Sequence, residues 1–248
     1  MRIGITERGD AGIDLSWLSK QDYVDGLILV TKNVTWELFR QALTQLKKPF
    51  ILHCTCTGMG GTKWEPNVPD PHHQMTCLKK LIDSGIVDKR NVVIRIDPIN
   101  PCHLIYFNYA MLCVKDVFKN DYVDLRYRIS VMDYYPHVIK RLDEHGLDYP
   151  VTKKETESQI ERIKKALEQF PEVMFETCAE PNLWTSNTFH SGCVGLEDIL
   201  RMGLNGDDVK EYINPQNRPG CMCLGCKTEL LTHKHPCSHK CAYCYWKD

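Results

Sequence analysis

The sequence predicts an α/β fold built on a parallel sheet, and three observations carry that prediction. Short apolar runs recur along the chain, amphipathic helical patterns separate them, and each run exits into polar or charged residues. The runs are rich in Val and Ile and nearly continuous in hydrophobicity, as strands covered on both faces should be. With 248 residues, 43% of them hydrophobic, the chain can bury one large core or two small ones.

Taken in order, the first run is RIGIT at 2–6, which exits into Glu7-Arg8-Gly9-Asp10. GLILVT at 26–31 exits into Lys32 and Asn33, and TWELFRQALTQLKK at 35–48, apolar every three to four residues, reads as the helix that follows. PFILHCT at 49–55 ends in Cys54-Thr55-Cys56, and alternation along a strand puts those two thiols on one face. QMTCLKKLIDSG at 74–85 is helical in period and closes on a helix-stopping glycine. NVVIRI at 91–96 exits with Arg95 and Asp97, and LRYRISVM at 125–132 exits at Asp133. ESQIERIKKALEQF at 157–170 is the next helix, before EVMFETC at 172–178 and its exit Cys178-Ala179-Glu180. Strands alternating with helices specify a parallel sheet with right-handed crossovers. Function in such folds lies at the strands' C-terminal ends, so six polar exits, two carrying cysteine, point to a site there.

Composition narrows the function. A net charge of -1 gives no global basic field, so a nucleic-acid partner has no support from charge. The N-terminal MRIGITERGD has no apolar signal-like stretch, and no run approaches the roughly 18 apolar residues of a membrane span. A cytoplasmic protein without membrane association is expected. Thirteen cysteines in a reducing compartment are metal ligands or redox groups before they are disulfides.

The cysteines fall into groups. Cys237, Cys241 and Cys244 stand at C-x3-C-x2-C spacing in CSHKCAYCYWKD. Three thiolates on a short loop can hold three irons of a [4Fe-4S] cube and leave the fourth open, which is what S-adenosylmethionine (SAM) chemistry requires. Tyr243, directly before the last cysteine, is typical of that motif. Zinc is the rival, although zinc sites of four cysteines usually show two C-x2-C knuckles. Cys178, Cys193, Cys221 and Cys223 make a second four-thiolate set for an auxiliary Fe-S cluster or a zinc ion, with Cys226 able to replace any member. Buried packing residues are the alternative for all of them. Gly58-Met59-Gly60-Gly61-Thr62 is a turn whose backbone can approach a ligand closely.

TGMGGTKWEPNVP, NVVIRIDPI, YRISVMD and CMC…PCSHKCAYCYW follow one another in a fixed order. The chain resembles, over residues 1 to 248, a bacterial domain-of-unknown-function family whose C-terminal cysteines match the radical SAM cluster motif. More distantly it resembles the spore photoproduct lyase group of radical SAM enzymes, which includes DNA repair photolyase-like proteins. The resemblance implies a partial parallel (βα)6 radical SAM-like barrel over 1–205. A cysteine-rich segment, 206–248, would pack on the barrel mouth, with the cluster loop last as though the chain were permuted. It implies an oxygen-sensitive enzyme that cleaves SAM at a [4Fe-4S] cluster on Cys237, Cys241 and Cys244 and takes a hydrogen atom from a substrate. A flavodoxin or ferredoxin would supply the electron. Gly60 and Gly61 stand where the family's glycine motif meets SAM's amino group, with Thr62 at a position often Glu, and Glu65 able to serve instead. Arg95 and Asp97 are the candidates for SAM's carboxylate and ribose, with Ser130 and Asp133 on the next strand. Cys56 could return a hydrogen atom to a product radical.

Two other classes fit the same residues. One is an iron-sulfur or zinc protein without SAM chemistry, acting as electron carrier or redox sensor. The other is a zinc-stapled nucleic-acid module using Lys234, His235, His239 and Lys240 beside Tyr243, Tyr245 and Trp246.

Overall fold

A computed structural model describes residues 1–208, 221–231 and 237–246; Lys234 and His235, and much of the segment 206–248, lie outside the described residues. The strands are β1 (Ile3–Ile5), β2 (Gly26–Thr31), β3 (Phe50–Thr55), β4 (Val92–Ile99), β5 (Arg126–Val131), β6 (Phe175–Thr177), β7 (Thr188–His190) and β8 (Lys227–Glu229). They form one eight-stranded sheet in the order β7-β6-β5-β4-β3-β2-β1-β8. Every neighbouring pair is parallel. Consecutive strands are neighbours, and the last returns beside the first, which is the sequential winding of a (βα)8 architecture.

The six expected strands are present, and the strand count of the expected barrel is corrected from six to eight. The two additions are three residues long, and β8, Lys-Thr-Glu, has no apolar residue at all. Neither gives a hydrophobic period to read.

The helices are α1 (Glu37–Thr44), α2 (Pro71–Asp83), α3 (Ile105–Phe118), α4 (Pro136–Glu144), α5 (Lys153–Leu167) and α6 (Leu196–Arg201). Their ends follow local chemistry. Asp70 caps α2 by accepting from the His73 N–H at 3.0 Å, with Pro71 in the first turn. Thr152 and Glu155 form a capping box on α5.

Strand alternation sorts the core into two faces. Leu27, Leu29, Leu52, Ile94, Tyr127 and Phe175 point outward into one apolar layer with Phe39, Met75, Leu78, Phe107 and Ile163 of the helices. Ile3, Ile5, Ile28, Ile51 and Val93 point the other way and meet Ile199 and Met202 from α6 and the segment after it. Side chains from β1, β2, β3 and β4 thus share one interior. Burying these side chains is worth roughly 1.5–3 kcal/mol each.

The strands' N-terminal end is plugged by charge. Arg126 meets Glu176 at 2.7 Å and Asp198 of α6 at 2.8 Å, and Arg128 pairs with the same two carboxylates. His53, wholly buried against Arg128, is held well below the usual imidazole range by burial and by that guanidinium, so it stays neutral. The sheet's two ends, β7 and β8, are joined by the segments beside them: the Leu224 N–H donates to the Val194 carbonyl at 3.0 Å.

Candidate functional site

The C-terminal ends of the strands carry the opposite arrangement: polar residues that engage the chain's own tail. Asp10, just past β1, accepts from the Gly12 N–H at 2.8 Å, the Thr31 hydroxyl at 2.5 Å and the Lys32 N–H at 2.7 Å. Its other partner is His239 of the tail, at 2.8 Å. Burial alone would raise the Asp10 carboxyl, but the bond to His239 and its charge hold it below the usual carboxylate range.

A second anchor lies beyond β2 and β3. Lys32 reaches Glu65 at 2.6 Å and the Tyr243 hydroxyl at 2.8 Å. Tyr243 in turn donates to Glu65, and the Thr57 hydroxyl donates to the same carboxylate at 2.7 Å. The Lys32 ammonium, which burial alone would lower, is pushed up by Glu65 and by Cys241. Backbone contacts complete the docking. The Ala242 N–H donates to the Trp64 carbonyl at 3.0 Å and the Asn67 amide to the Ser238 carbonyl at 2.6 Å. The Asp133 N–H donates to the Tyr245 hydroxyl at 3.0 Å, His137 meets the Tyr245 carbonyl at 2.8 Å, and Arg141 donates to the Cys244 carbonyl.

The glycine segment is built to present Glu65. Gly61 adopts φ +76°, a conformation that favours glycine, and its N–H donates to the Glu65 carbonyl at 3.0 Å. A Cβ on Gly60 would stand 2.1 Å from the Pro69 carbonyl oxygen. The Thr62 hydroxyl is committed to the Met59 carbonyl at 2.6 Å. Arg95, Asp97 and Ser130 form a separate chain on the sheet interior: Arg95 pairs with Asp97, and the Ser130 hydroxyl donates to Asp97 at 2.6 Å. The Arg95 Nε is buried without a hydrogen-bond partner. The candidate cofactor residues therefore divide into Glu65, which meets the tail, with Gly60, Gly61 and Thr62 on its loop, and a group in the interior (Arg95, Asp97, Ser130). Asp133 is joined to the tail through its backbone.

Cys56 lies within range of the charges of Glu65 and Lys32 but packs elsewhere. Cys54 and Cys56 share a face, as alternation requires, but it is the outer one, packed among helix residues. Burial pushes the Cys56 thiol up to about 12. Strand parity sets Cys56, the candidate hydrogen-atom donor, among the side chains of this outer layer.

Of the tail thiols, Cys237 is exposed and Cys241 and Cys244 are half-buried. Burial pushes the Cys241 thiol up, Lys32 opposes that shift, and Glu65, Cys244 and Cys237 add to it, so the three thiols lie within range of one another's charge. Among the described residues, no three His, Cys, Asp or Glu side chains are arranged to hold a single ion as they stand. A cube distributes its thiolates over different irons, so its ligands ring a volume and do not converge on a point. Cys178, Cys193 and Cys223, by contrast, are in contact deep in the interior, with Cys221 and Cys226 packed on the same cluster.

The family model of a domain of unknown function, DUF1848, matches residues 14–246. The chain belongs to the DUF1848 family. No curated protein and no solved structure matches it. The DUF1848 match takes in every strand exit from β2 onward and the tail through Trp246, while Asp10 and the rest of the β1 exit lie before it. No helix among the described residues is long and apolar enough to cross a membrane.

Several residues of this DUF1848 site carried no role in the sequence reading: Asp10, Lys32, Glu7 and Lys227; His239 figured there only in the nucleic-acid module. Asp10, Lys32 and Glu7 stood at polar strand exits, which was the available signal. Glu7 pairs with Lys227 on the interior, and burial, with Cys193 adding, raises its carboxyl to about 7 against the pull of Lys227.

Proposed function

We propose that this DUF1848 protein is a radical SAM enzyme, with a [4Fe-4S] cluster held by Cys237, Cys241 and Cys244. In this reading the eight-stranded sheet is a radical SAM-like barrel whose cluster loop follows the last strand. The observation that carries it is the division of labour in the tail. His239, Ala242, Tyr243 and Tyr245 dock on the exits of β1, β2, β3 and β5. Among the described residues, none of the three thiols is a partner in those hydrogen bonds.

The donor set fits the group: three thiols on one loop, within range of one another's charge and beside a buried lysine that favours a thiolate at Cys241. When bound, the cluster would supply the electron for reductive cleavage of SAM and so the means of hydrogen-atom abstraction from a substrate. The chain's own residues do the positioning. Lys32 and Glu65 hold the loop through Tyr243, and Asp10 holds it through His239. Arg95, with an unused Nε, is the cation available to a carboxylate, and Asp97 is the acceptor available to a ribose hydroxyl.

The test is anaerobic. Protein reconstituted with iron and sulfide, reduced and given SAM should form 5′-deoxyadenosine, and Cys241→Ala should abolish it. A fully loaded brown protein that forms none acts instead as an electron carrier or sensor. Zinc without iron at the tail overturns the proposal.

A further inference from the structure

We infer that Cys178, Cys193, Cys223 and Cys221 form a second, structural site for one tetrahedral thiophilic ion, Zn2+, which fastens the seam between the two ends of the sheet. This inference does not depend on the tail's cluster. It narrows what the sequence left open for these thiols, a cluster or zinc, to a single ion.

Spacing decides the class. The Cys178 and Cys193 sulfurs are 3.3 Å apart, and the Cys223 sulfur accepts from the Cys193 N–H at 3.1 Å. Cys193 is the thiol that the other two share. A Zn–S distance near 2.3 Å sets tetrahedral ligand sulfurs ~3.8 Å apart. As they stand the thiols do not enclose an ion; Cys178 and Cys193 need to spread by about half an ångström to take one, with the metal replacing the S–H protons between them. A cube binds each thiolate to a different iron and would have to push them much farther apart inside a packed core. All three are nearly inaccessible, at 7%, 6% and 2% exposure. The fourth ligand follows from the chain: Cys221 precedes Cys223 by two residues and packs on the same cluster.

The site is built, because a glycine makes the approach possible. A Cβ on Gly192 would lie 2.5 Å from the Met222 carbonyl oxygen and 2.7 Å from Cys223 Cα. Any other residue there would force the 221–223 segment off Cys193. Two cations face Cys193, Arg95 and Lys227, each also paired with a carboxylate, Asp97 and Glu7. They offset the negative charge of a thiolate-bound ion. The ligands come from the exit of β6, the loop after β7 and the segment before β8. Those are the places where the sheet's ends meet without a strand ladder among the described residues, so one ion there does the work of the missing pairing.

The experiment uses the full chain with Cys237→Ala, Cys241→Ala and Cys244→Ala, which removes the tail's thiols and leaves this site alone. We expect about one zinc per chain and no acid-labile sulfide. We expect Co2+ added to the metal-stripped chain to give strong thiolate charge-transfer absorption with tetrahedral d–d bands, a readout that needs no further substitution. Adding Cys193→Ser or Cys221→Ser should weaken Co2+ binding at least about 100-fold. Gly192→Ala should do the same with all four ligand thiols still present, while Cys226→Ser should leave binding unchanged. A chain without zinc that gives no Co2+ thiolate bands overturns the proposal, as does iron with sulfide in place of zinc. Loss of binding in Cys226→Ser with none in Cys221→Ser overturns the assignment of the fourth ligand. Failure of SAM cleavage in the wild-type chain bears on the tail alone.

Discussion

Lys32→Met tests the anchor on which the site reading depends. Lys32 is 18% and Glu65 1% exposed at the side chain, and their charges stand 2.6 Å apart. At an effective dielectric of about 20, the raw attraction at that distance is about 6 kcal/mol. Desolvation of two ions offsets much of it, so the pair's net worth is far smaller. Removing one partner is a different matter. Methionine fills the space of the lysine stem and leaves the Glu65 carboxylate buried with only the Thr57 and Tyr243 hydroxyls on it. That should cost about 3–5 kcal/mol, read as a lower urea midpoint at unchanged slope. Glu65→Gln should cost less, because Lys32 keeps Tyr243 and some access to water. The double variant should cost less than the sum, with a coupling of about 2 kcal/mol. Lys32 is also the cation that opposes the upward shift of Cys241. The single variant should therefore retain less iron after reconstitution at neutral pH, and recover part of it as pH rises. Additive costs, or a Lys32→Met variant within about 0.5 kcal/mol of wild type, would show that the pair does not hold the tail.

Three further outcomes follow from other parts of the structure. Arg128 and Arg126 hold the Asp198 carboxyl at about 2 against burial that would raise it from 3.8. A depressed carboxylate contributes stability above its unfolded value, lost as pH falls from about 4 to about 2, here about 2 kcal/mol. Asp198→Asn should flatten that part of the acid-unfolding profile, and an unchanged profile would refute the assignment. Gly58→Ala puts a Cβ 1.9 Å from the Tyr106 carbonyl oxygen at φ +81°, and should destabilise by more than about 2 kcal/mol in denaturant titration. Asp10→Asn, which keeps the shape but removes the charge facing His239, should speed hydrogen exchange across 237–246 at least several-fold while the sheet amides hold their protection. Exchange that accelerates everywhere would mean that Asp10 supports the fold and not the tail.

The sheet was legible where strands are apolar and opaque where they are not. The runs at 26–31 and 49–55 carry their own hydrophobic period and are found within a residue of their observed ends. β8 has none; its place is fixed by parallel pairing to β1, a contact between residues more than 220 apart. The interior charge layer was hidden for a related reason. LRYRISVM reads as a strand with arginines on one face, which in isolation marks a solvated face. Arg126 and Arg128 are buried because Glu176 and Asp198, distant in sequence, reach them. The site was half legible. Spacing picked out the tail thiols and the set around Cys193. It could not show that Cys56 turns outward, since that depends on which face of the strand the helices cover.

The anchors of the tail explain how the cysteine loop can be held in one register. His239 and Tyr243 sit inside the cysteine motif itself, and each meets a buried carboxylate on a different strand exit, Asp10 and Glu65. Sliding the tail by a single residue would break both contacts at once and strand two carboxylates in the core. An apolar tail would tolerate such a slip, because one hydrophobic contact replaces another at little cost; a pair of buried polar contacts does not. The polar exits of β1 and β3 thereby fix where the three thiols stand relative to Arg95 and Asp97. Any ligand bound at the strands' C-terminal ends would meet both sets in a constant relation, and that constancy, more than the count of cysteines, is what the proposed chemistry requires.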